Sequence, residues 1–330
     1  MATVAFARGL RRGRVVSGAG QAGAMAVGVC THNASVRILP LLRALAGLDR
    51  AEGRVSCIVI VENASTDDTA EVVRTFAGEH PEAGIELVHE SSPGKTNAMV
   101  RLFEATSEPL VAMLDDDMVP SAGWARAILG VFDDEARAGA VGTPIRIEWA
   151  SGPTRLAEIY RRSLGDQLLG ETRHRLEGAG AFFGGASLAL RRAAYEDSHW
   201  AHDRVLDCRR GAVHESGEDA ELCIRVARAG WELWYEPAAD TATVIDASKQ
   251  TRAHLAKLRG SIAASEPVLR WIAGTTSMDE ARRELEQAQR RALKAVLFDW
   301  RPTRRAIRLA ERRGRVEGWR RVLELANLGT

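Results

Sequence analysis

Short apolar runs of strand length alternate with helical segments over the first half of the chain. The runs predicted as strands are Ala26–Cys30, Cys57–Val61, Ile85–His89, Leu110–Leu114 and Ala140–Ile147. The segments predicted as helices between them are Leu39–Leu48, Thr69–Phe76, Lys95–Thr106 and Trp124–Phe132. Repeated strand–helix units predict an α/β fold with a mainly parallel sheet, because parallel strands need crossovers that cover both faces of the sheet.

The alternation weakens after Ile147, and the chain then becomes mainly helical. Helices are predicted at Arg155–Leu169, Asp219–Ala229, Met278–Leu297 and Thr303–Leu325, and strands at Phe183–Leu190 and Trp231–Tyr235. Beyond residue 246 the composition shifts to Arg, Ala, Leu and Glu with helical periodicity. We therefore predict a flexible tail over residues 1–24, an α/β domain over 25–246 and a basic helical extension over 247–330.

The composition is that of a globular protein without the charge footprint of a nucleic-acid-binding protein. The 330 residues are 45% hydrophobic and 27% charged, and the formal net charge is +1. Four scattered cysteines favour reduced thiols over a disulfide framework. Cys208, His214 and Cys223 fit no standard zinc spacing and lack a fourth ligand, which favours ordinary packing cysteines over a zinc site.

Three consecutive carboxylates follow a predicted buried strand. The apolar run Val111–Leu114 leads directly into Asp115, Asp116 and Asp117. Such strand ends face the ligand crevice of an open α/β sheet, and Mg²⁺ or Mn²⁺ prefers hard oxygen ligands. Alternation places Asp115 and Asp117 on one side and Asp116 on the other. We expect Asp117 to bind a metal and Asp115 to bind a nucleotide ribose or a metal-bound water; the alternative is an ordinary acidic loop.

A second acidic pair, Glu218 and Asp219, opens a predicted helix about a hundred residues later. Acids in a first helical turn are favoured by the helix dipole without any further function. A transfer reaction in which a diphosphate departs also needs a carboxylate that accepts the proton of the incoming hydroxyl. The pair is therefore a candidate general base, alongside the purely structural interpretation.

Two polar turns complete the candidate site. The segment from Ser92 to Thr96 ends like a phosphate-binding loop, but His89 stands where a Walker motif needs Gly. Lys95 at a helix start is a candidate for contact with a diphosphate, or else a surface lysine. Glu62 follows the second strand, where its carboxylate can accept a hydrogen bond from the imide N–H of a base.

Taken in order, these segments resemble the family-2 glycosyltransferases, which adopt the GT-A fold. The resemblance covers about Ala26 to Pro237. The motifs that carry it are Thr31-His32-Asn33, Glu62-Asn63-Ala64-Ser65-Thr66-Asp67-Asp68-Thr69, Gly94-Lys95-Thr96-Asn97, Asp115 with Asp117, Gly184-Gly185-Ala186-Ser187 with Arg191-Arg192, and Glu218-Asp219-Ala220-Glu221-Leu222 with Arg225, Gly230 and Trp231. Each motif alone is a weak signal, whereas six in this order are a strong one.

The resemblance implies a Rossmann-like GT-A domain that moves a sugar from a nucleotide diphosphate to an acceptor with inversion. It also implies Mn²⁺ or Mg²⁺ as cofactor and, by default, a UDP-sugar as donor. The residues it assigns are Asp219 and Glu218 for catalysis, Thr31, Asn33, Glu62, Lys95, Asp115 and Asp116 for the donor, Asp117 and Asp115 for the metal, and Gly184 and Gly185 for the acceptor side.

Two positions depart from the family pattern. Glu62 stands where the family usually has Asp, so we expect the base contact to be reached differently. Many members carry a metal-binding His after the last strand, where this chain has Asp246. Either Asp246 replaces that ligand or the metal is held more weakly. The Gln-x-x-Arg-Trp signature of processive synthases is not found in the sequence, which favours a single transfer.

Two rival functions stay open. A catalytically degenerate protein that only binds nucleotide sugars would explain the missing His, but it would not need intact Asp115, Asp117 and Asp219. A sugar nucleotidyltransferase would need a Gly-rich N-terminal loop with a basic residue, whereas Val27–Asn33 contains only Gly28. The acceptor is equally open among small natural products, lipid carriers, polysaccharides and peptides, because acceptor loops diverge on a shared scaffold.

The C-terminal extension is basic, with 14 Arg or Lys against 6 Asp or Glu between Ala281 and Thr330. Such helices either present a solvated face, which is the commoner case, or touch an anionic membrane surface. We recognise no secretion signal and no apolar stretch of membrane-spanning length. The expected location is the cytoplasm, with peripheral contact at the inner face of the membrane as the alternative.

Overall fold

The computed structural model describes residues 23–207, 216–298 and 302–328. The first 22 residues of the predicted tail lie outside this range, as do Cys208 and His214. The strands are β1 (Met25–Thr31), β2 (Val55–Asn63), β3 (Ile85–Glu90), β4 (Leu110–Asp115), β5 (Met118–Pro120), β6 (Ala138–Gly142), β7 (Ile145–Trp149), β8 (His174–Leu176), β9 (Ser187–Arg191), β10 (Glu232–Tyr235) and β11 (Thr241–Ile245). The helices are α1 (Leu39–Ala46), α2 (Thr69–Glu79), α3 (Lys95–Ala105), α4 (Trp124–Asp134), α5 (Arg155–Ile159), α6 (Arg192–Asp197), α7 (Trp200–Asp203), α8 (Glu218–Arg228), α9 (Arg252–Ile272), α10 (Met278–Phe298) and α11 (Pro302–Leu328).

The main sheet has eight strands in the order β3-β2-β1-β4-β9-β6-β10-β8. The first four are parallel to one another, and β6 is parallel to β10. Strand β9 runs antiparallel between β4 and β6. A smaller sheet has the order β5-β11-β7. The predicted α/β fold with a mainly parallel central sheet and additional C-terminal helices is confirmed.

The side chains of each central strand alternate between two hydrophobic cores. In β2, Ile58 and Ile60 belong to the core that includes α1, α2 and α4, whereas Val59 and Val61 belong to the core that includes α3, α6 and α8. Both faces are therefore covered, which is why these strands read as nearly continuous apolar runs. At Gly28 in β1, a Cβ would stand 2.1 Å from Leu102 Cδ2, so α3 lies directly on the strand backbone.

Three predicted elements differ from those observed. The predicted strand 140–147 is two strands in different sheets, β6 and β7, because Pro144 offers no N–H for a continuous ladder. The predicted helix 155–169 is α5 and a 3₁₀ turn that ends at Gly165, where φ is +110°. The predicted strand 183–190 begins only at Ser187, because Gly184 and Gly185 form a loop instead.

The C-terminal helices pack closely on one another and on the α/β domain. A Cβ at Gly314 would stand 2.1 Å from the carbonyl oxygen of Gly260, so α9 and α11 are in backbone contact. Trp319 of α11 and Val268 of α9 share a core with Ile224 of α8. None of the helices within the described residues combines the length and apolar character needed to cross a membrane.

Candidate active site

The carboxyl ends of β1, β2 and β4 bring several predicted site residues to one edge of the main sheet. In the register of the sheet, Thr31 pairs with Glu62 and Cys30 pairs with Asp115. This edge is where open α/β sheets bind their ligands, because loops rather than strand backbone lie beyond it. The structure therefore brings together three donor-site candidates from separate parts of the sequence.

Each of the three carboxylates at the end of β4 is paired with a different basic side chain. Lys95 Nζ lies 2.6 Å from Asp115 Oδ1, and Lys249 Nζ lies 2.8 Å from Asp117 Oδ2.

The middle carboxylate, Asp116, is bound on both oxygens by Arg37, with two nitrogen–oxygen distances of 2.9 Å. It also accepts a hydrogen bond of 2.8 Å from Thr31 Oγ1. The basic residues that pair with the three carboxylates, Lys95, Arg37 and Lys249, come from different parts of the chain. The acidic turn therefore lies where those parts meet. Thr31 thus supports the turn through its hydroxyl.

The second acidic pair lies beside the first. Lys95 Nζ is 3.9 Å from Glu218 Oε1 as well as 2.6 Å from Asp115. Glu218 is buried, with 5% of its surface exposed, at the start of α8. Lys95 therefore connects the two predicted acidic clusters, which the sequence places far apart.

Asp219 is fixed against the loop that precedes β9. Its Oδ2 accepts a hydrogen bond of 2.5 Å from the N–H of Gly185, and the next carbonyl, of Ala186, accepts one of 3.0 Å from the N–H of Asp115. Two adjacent residues therefore link the candidate base to the candidate metal ligand. A Cβ at Gly185 would stand 2.7 Å from Asp219 Cβ, so only glycine permits this approach. At Gly184, by contrast, a Cβ would meet Gln167 Oε1 at an ordinary 3.5 Å.

The turn after β2 is held by side-chain hydrogen bonds. The carboxylate of Glu62 accepts from the N–H of Ser65 and lies 2.6 Å from His89 Nδ1. Burial raises the pKa of Glu62, but these hydrogen bonds outweigh it and hold the pKa below its usual value. Glu62 is therefore an anion at neutral pH, as a base-reading carboxylate must be. Asn33 ties the turn to β1, because its Oδ1 accepts from the N–H of Thr66 at 2.8 Å.

Asn63 connects this turn to Lys95. Its Oδ1 accepts a hydrogen bond of 2.8 Å from the N–H of Gly94, and its Nδ2 donates to the carbonyl of Ser92 at 2.7 Å. Gly94 has a φ of +132°, in the region that glycine adopts most readily. The start of α3, and with it Lys95, is therefore positioned by β2.

Asp246 caps a turn at the place where the family often has a metal-binding His. The residue is exposed, and its Oδ1 accepts hydrogen bonds from Ser248 Oγ at 2.5 Å and from the N–H of Lys249 at 3.2 Å. The hydrogen bond from Ser248 lowers the pKa of Asp246. It is Lys249, three residues later, that contacts Asp117. The stretch after β11 thus reaches the acidic turn through a cation.

Three further residues of the site were not singled out from the sequence as candidates. Arg37 and Lys249 contact the acidic turn from 79 and 132 residues away, respectively. In the sequence His89 stands out only as the residue that breaks a Walker motif, whereas in the structure it contacts Glu62. The position of Lys249 just after the expected metal ligand was the one available signal.

Two thiols lie beside the site, the half-buried Cys30 and the buried Cys223. Burial raises the pKa of both Cys30 and Cys223 to about 12. Near Cys30, Lys95 lowers the pKa and Asp115 raises it, but both effects are smaller than that of burial. Neutral thiols are poor nucleophiles and poor metal ligands, so both cysteines act as packing residues.

Asp115 and Asp117 offer oxygen ligands of the kind that Mg²⁺ or Mn²⁺ prefers. Their side chains are 27% and 24% exposed, so a ligand can reach them. Within the part of the chain that the structure describes, no cluster of three or more His, Cys, Asp or Glu could hold a metal. Two carboxylates together with substrate phosphates are a common set for such cations. These residues therefore fit a cation that shares its ligands with a diphosphate.

Several known proteins with sequences similar to this chain are glycosyltransferases. The family model described as "Glycosyltransferase like family 2" matches residues 22–263. The pre-mycofactocin glycosyltransferase of Mycobacterium tuberculosis is 28% identical over 166 residues, which are 50% of this chain and 33% of that protein. A probable glycosyltransferase of Bacillus subtilis, YdaM, is 27% identical over 215 residues, which are 64% of this chain and 48% of that protein. The chain thus spans half or less of the length of these relatives.

A solved structure shows the same fold. The mannosyltransferase PcManGT from Pyrobaculum calidifontis, in complex with GDP-Man and Mn²⁺, superposes with a TM-score of 0.55 at 18% sequence identity. The match covers 89% of this chain and 86% of that one. The predicted GT-A architecture is therefore confirmed. Because the family model covers well over half of its residues, this chain belongs to the family-2-like glycosyltransferases.

Proposed function

We propose that this chain transfers a sugar from a nucleotide-diphosphate donor to an acceptor hydroxyl, with inversion and as a single, non-processive transfer. The observation that carries the proposal is the short path from Asp219 through Gly185 and Ala186 to Asp115. The two hydrogen bonds of this path, 2.5 Å and 3.0 Å, hold a candidate base and a candidate donor ligand on either side of one loop. An inverting transferase needs a base on one face of the anomeric carbon and a group that stabilises the departing diphosphate on the other.

On the donor side, Asp117 and Asp115 would hold Mn²⁺ or Mg²⁺. When bound, such a cation acts as a Lewis acid that stabilises the negative charge of the departing diphosphate. Lys95 lies at the first position of α3, where a side-chain cation and helix N–H groups both favour phosphate.

The remaining donor contacts would be made by the turns at the edge of the sheet. The carboxylate of Glu62 would accept the imide-type N–H that both uracil and guanine carry. Thr31, Asn33 and Asp116 would shape the nucleotide pocket, since their hydrogen bonds fix the two loops that border it. A UDP-sugar stays the first choice of donor. A GDP-sugar is the second.

On the acceptor side, Asp219 would accept the proton of the attacking hydroxyl. The acceptor oxygen then forms a bond to the anomeric carbon from the face opposite the diphosphate, and the carbon–oxygen bond to the diphosphate breaks. The products are a glycoside of inverted configuration and a nucleoside diphosphate. Each carboxylate oxygen has two lone-pair directions, so Asp219 can bind the Gly185 N–H and still accept a proton. Glu218 would support the site through Lys95, and Gly184 would lie on the acceptor path.

A non-catalytic nucleotide-sugar-binding protein is the second candidate, and one observation favours it. The carboxylates of Asp115 and Asp117 are each already neutralised by a lysine, at 2.6 Å and 2.8 Å. In a protein that no longer bound a metal, the two lysines would still neutralise these carboxylates and so preserve the fold. The partly exposed surfaces of both residues, and the intact Asp219, favour the enzyme.

The acceptor and the location within the cell are proposed only in general terms. A small molecule, a lipid carrier, a polysaccharide and a peptide all offer the hydroxyl that the chemistry needs. The basic helices are partly neutralised by ion pairs between α9 and α11, such as Arg259 with Glu311 at 2.6 Å and Arg315 with Glu266 at 2.7 Å. This pairing favours the solvated helical face over a membrane-binding one.

A panel of nucleotide sugars tests the proposal. UDP-glucose, UDP-N-acetylglucosamine and GDP-mannose would each be added with and without Mn²⁺, and both the melting temperature and the release of nucleoside diphosphate would be measured. We expect at least one donor to stabilise the protein in the presence of Mn²⁺ and to be hydrolysed slowly. Stabilisation without hydrolysis would favour the binding protein, and neither effect with any donor would contradict the donor class.

A further inference from the structure

Lys249 occupies a position of particular interest because it binds the carboxylate proposed for the metal. Its Nζ lies 2.8 Å from Asp117 Oδ2, and the two side chains are only 34% and 24% exposed. Partly buried ion pairs are screened less by water than exposed ones, so this contact competes with other cations for Asp117.

The turn that carries Lys249 is anchored on both sides. Before it, Asp246 accepts hydrogen bonds from Ser248 Oγ and from the N–H of Lys249 itself. After it, the buried side chain of Gln250 accepts from the N–H of Thr154 at 2.7 Å and donates to the carbonyl of Gly152 at 3.2 Å. The ammonium group is therefore held next to the acidic turn by the fold and is not a loose surface charge.

The carboxylates at the acidic turn face almost as many side-chain cations. Asp115, Asp116 and Asp117 pair with Lys95, Arg37 and Lys249, and Glu218 is a fourth carboxylate, 3.9 Å from Lys95. A dication added alone would bring two positive charges to a cluster whose own charges nearly cancel. A dication added together with a diphosphate, which carries two negative charges, would leave the net charge unchanged.

We propose that Lys249 is a resident counter-ion of Asp117 that leaves this carboxylate for the donor diphosphate when donor and divalent cation bind together. The proposal rests on the proposed function for the metal and the diphosphate. Its consequence is a coupling: Lys249 weakens metal binding to the free protein and strengthens it in the presence of nucleotide. Linkage requires that the metal then strengthens nucleotide binding by the same factor.

The test measures Mn²⁺ binding without any turnover. Free Mn²⁺ would be titrated by electron paramagnetic resonance against the whole 330-residue chain, with and without UDP or GDP. We expect Lys249→Gln to tighten Mn²⁺ binding to the nucleotide-free protein by about tenfold, within the usual range of such couplings. The same variant should reduce the tightening of Mn²⁺ binding that UDP or GDP produces in the parent protein.

Two further variants serve as controls. Lys249→Arg keeps the charge and should bind Mn²⁺ as weakly as the parent. Lys257→Gln removes one exposed positive charge from the nearby helix α9 and should change little.

The possible outcomes separate this inference from the proposed function. The counter-ion role is overturned if Lys249→Gln binds Mn²⁺ no more tightly than Lys257→Gln does, and also if no variant binds Mn²⁺ under any condition. Sugar transfer by the parent protein would leave the proposed function intact in both cases. Tighter Mn²⁺ binding in Lys249→Gln, with no turnover of any donor by the parent, would instead support the counter-ion and contradict the function.

Discussion

The main-chain N–H of Gly185 donates a 2.5 Å hydrogen bond to Asp219 Oδ2, and no space remains for a side chain at the glycine. The contact explains why the loop before β9 contains glycine where a strand was expected. The candidate base is thereby fixed relative to β9 and, through Ala186, to the acidic turn after β4.

Replacing this glycine should misplace the base. In Gly185→Ala the new methyl group would stand 2.7 Å from Asp219 Cβ and 3.2 Å from its Oδ2, so the carboxylate must shift. A displacement of about 1 Å at a reacting group costs up to about a hundredfold in rate. We expect donor hydrolysis and transfer to fall by about ten- to a hundredfold while donor binding, measured by thermal shift, is retained.

Gly180→Ala is the matched control for this variant. It lies in the same loop, and a Cβ there would meet nothing within 4 Å. Its rate should stay close to that of the parent protein. Equal losses in Gly180→Ala and Gly185→Ala would show that the loop, and not the position of Asp219, determines the rate.

Asp117→Asn should weaken metal binding and so raise the Mn²⁺ concentration that donor binding requires. The substitution removes an anionic oxygen while keeping the shape of the side chain, and loss of even an outer partner of a metal site costs tenfold or more. We expect the Mn²⁺ concentration for half-maximal donor binding to rise at least about tenfold, as measured by calorimetry. Glu71→Gln, at a residue whose side chain is 74% exposed on α2, is the control. An unchanged Mn²⁺ requirement in Asp117→Asn would show that the metal assignment is wrong.

Alanine substitutions at two glycines should change the free energy of unfolding in opposite directions. Gly28→Ala would place a methyl group 2.1 Å from Leu102 Cδ2, and overpacking of this kind destabilises by about 1–3 kcal/mol. Gly78→Ala lies in α2 with nothing within 4 Å, and alanine there should stabilise by about 0.5–1 kcal/mol. Urea unfolding measures both free energies. A neutral effect of Gly28→Ala would mean that α3 can move away from β1.

Protonation of Glu62 should lower the free energy of unfolding in acid. Hydrogen bonds from Ser65 and His89 hold its pKa below the usual 4.5 despite burial. A carboxyl group whose pKa is lowered by folding stabilises the protein above its usual pKa, and this contribution is lost as the pH falls through the lowered value. Glu62→Gln should therefore flatten the decline in the free energy of unfolding below about pH 4.5, which urea titrations at several pH values would show. A decline as steep as that of the parent protein would contradict the shift.

Much of the donor edge was predictable because its signals are local. The runs 110–114 and 57–61 are apolar strands whose ends carry Asp115 and Glu62, and parallel pairing places such ends together. The glycine pair and Glu218-Asp219 were also visible in the sequence. The contact between Gly185 and Asp219 was not predictable, because it depends on how α8 packs on the main sheet.

Contacts between distant segments were not predictable. Nothing near Arg37 indicates that its guanidinium will bind Asp116, 79 residues away. Lys249 looked like one of many basic residues in a helical region, and only the packing of the turn after β11 places it on Asp117. The prediction of one continuous strand over 140–147 was wrong for a related reason. The separation of β7 from β6 depends on the pairing of β7 with β11 in the smaller sheet, as well as on Pro144.

The most direct measurement compares donor binding and turnover in Asp219→Asn. The amide can still accept the hydrogen bond from Gly185 but cannot take the proton of an attacking hydroxyl, so donor affinity in the presence of Mn²⁺ should stay close to that of the parent. Turnover of the same nucleotide sugar should fall by about a hundredfold to ten-thousandfold, the usual contribution of general base catalysis. A variant that binds the donor normally and turns it over at the parent's rate would contradict the role given to Asp219.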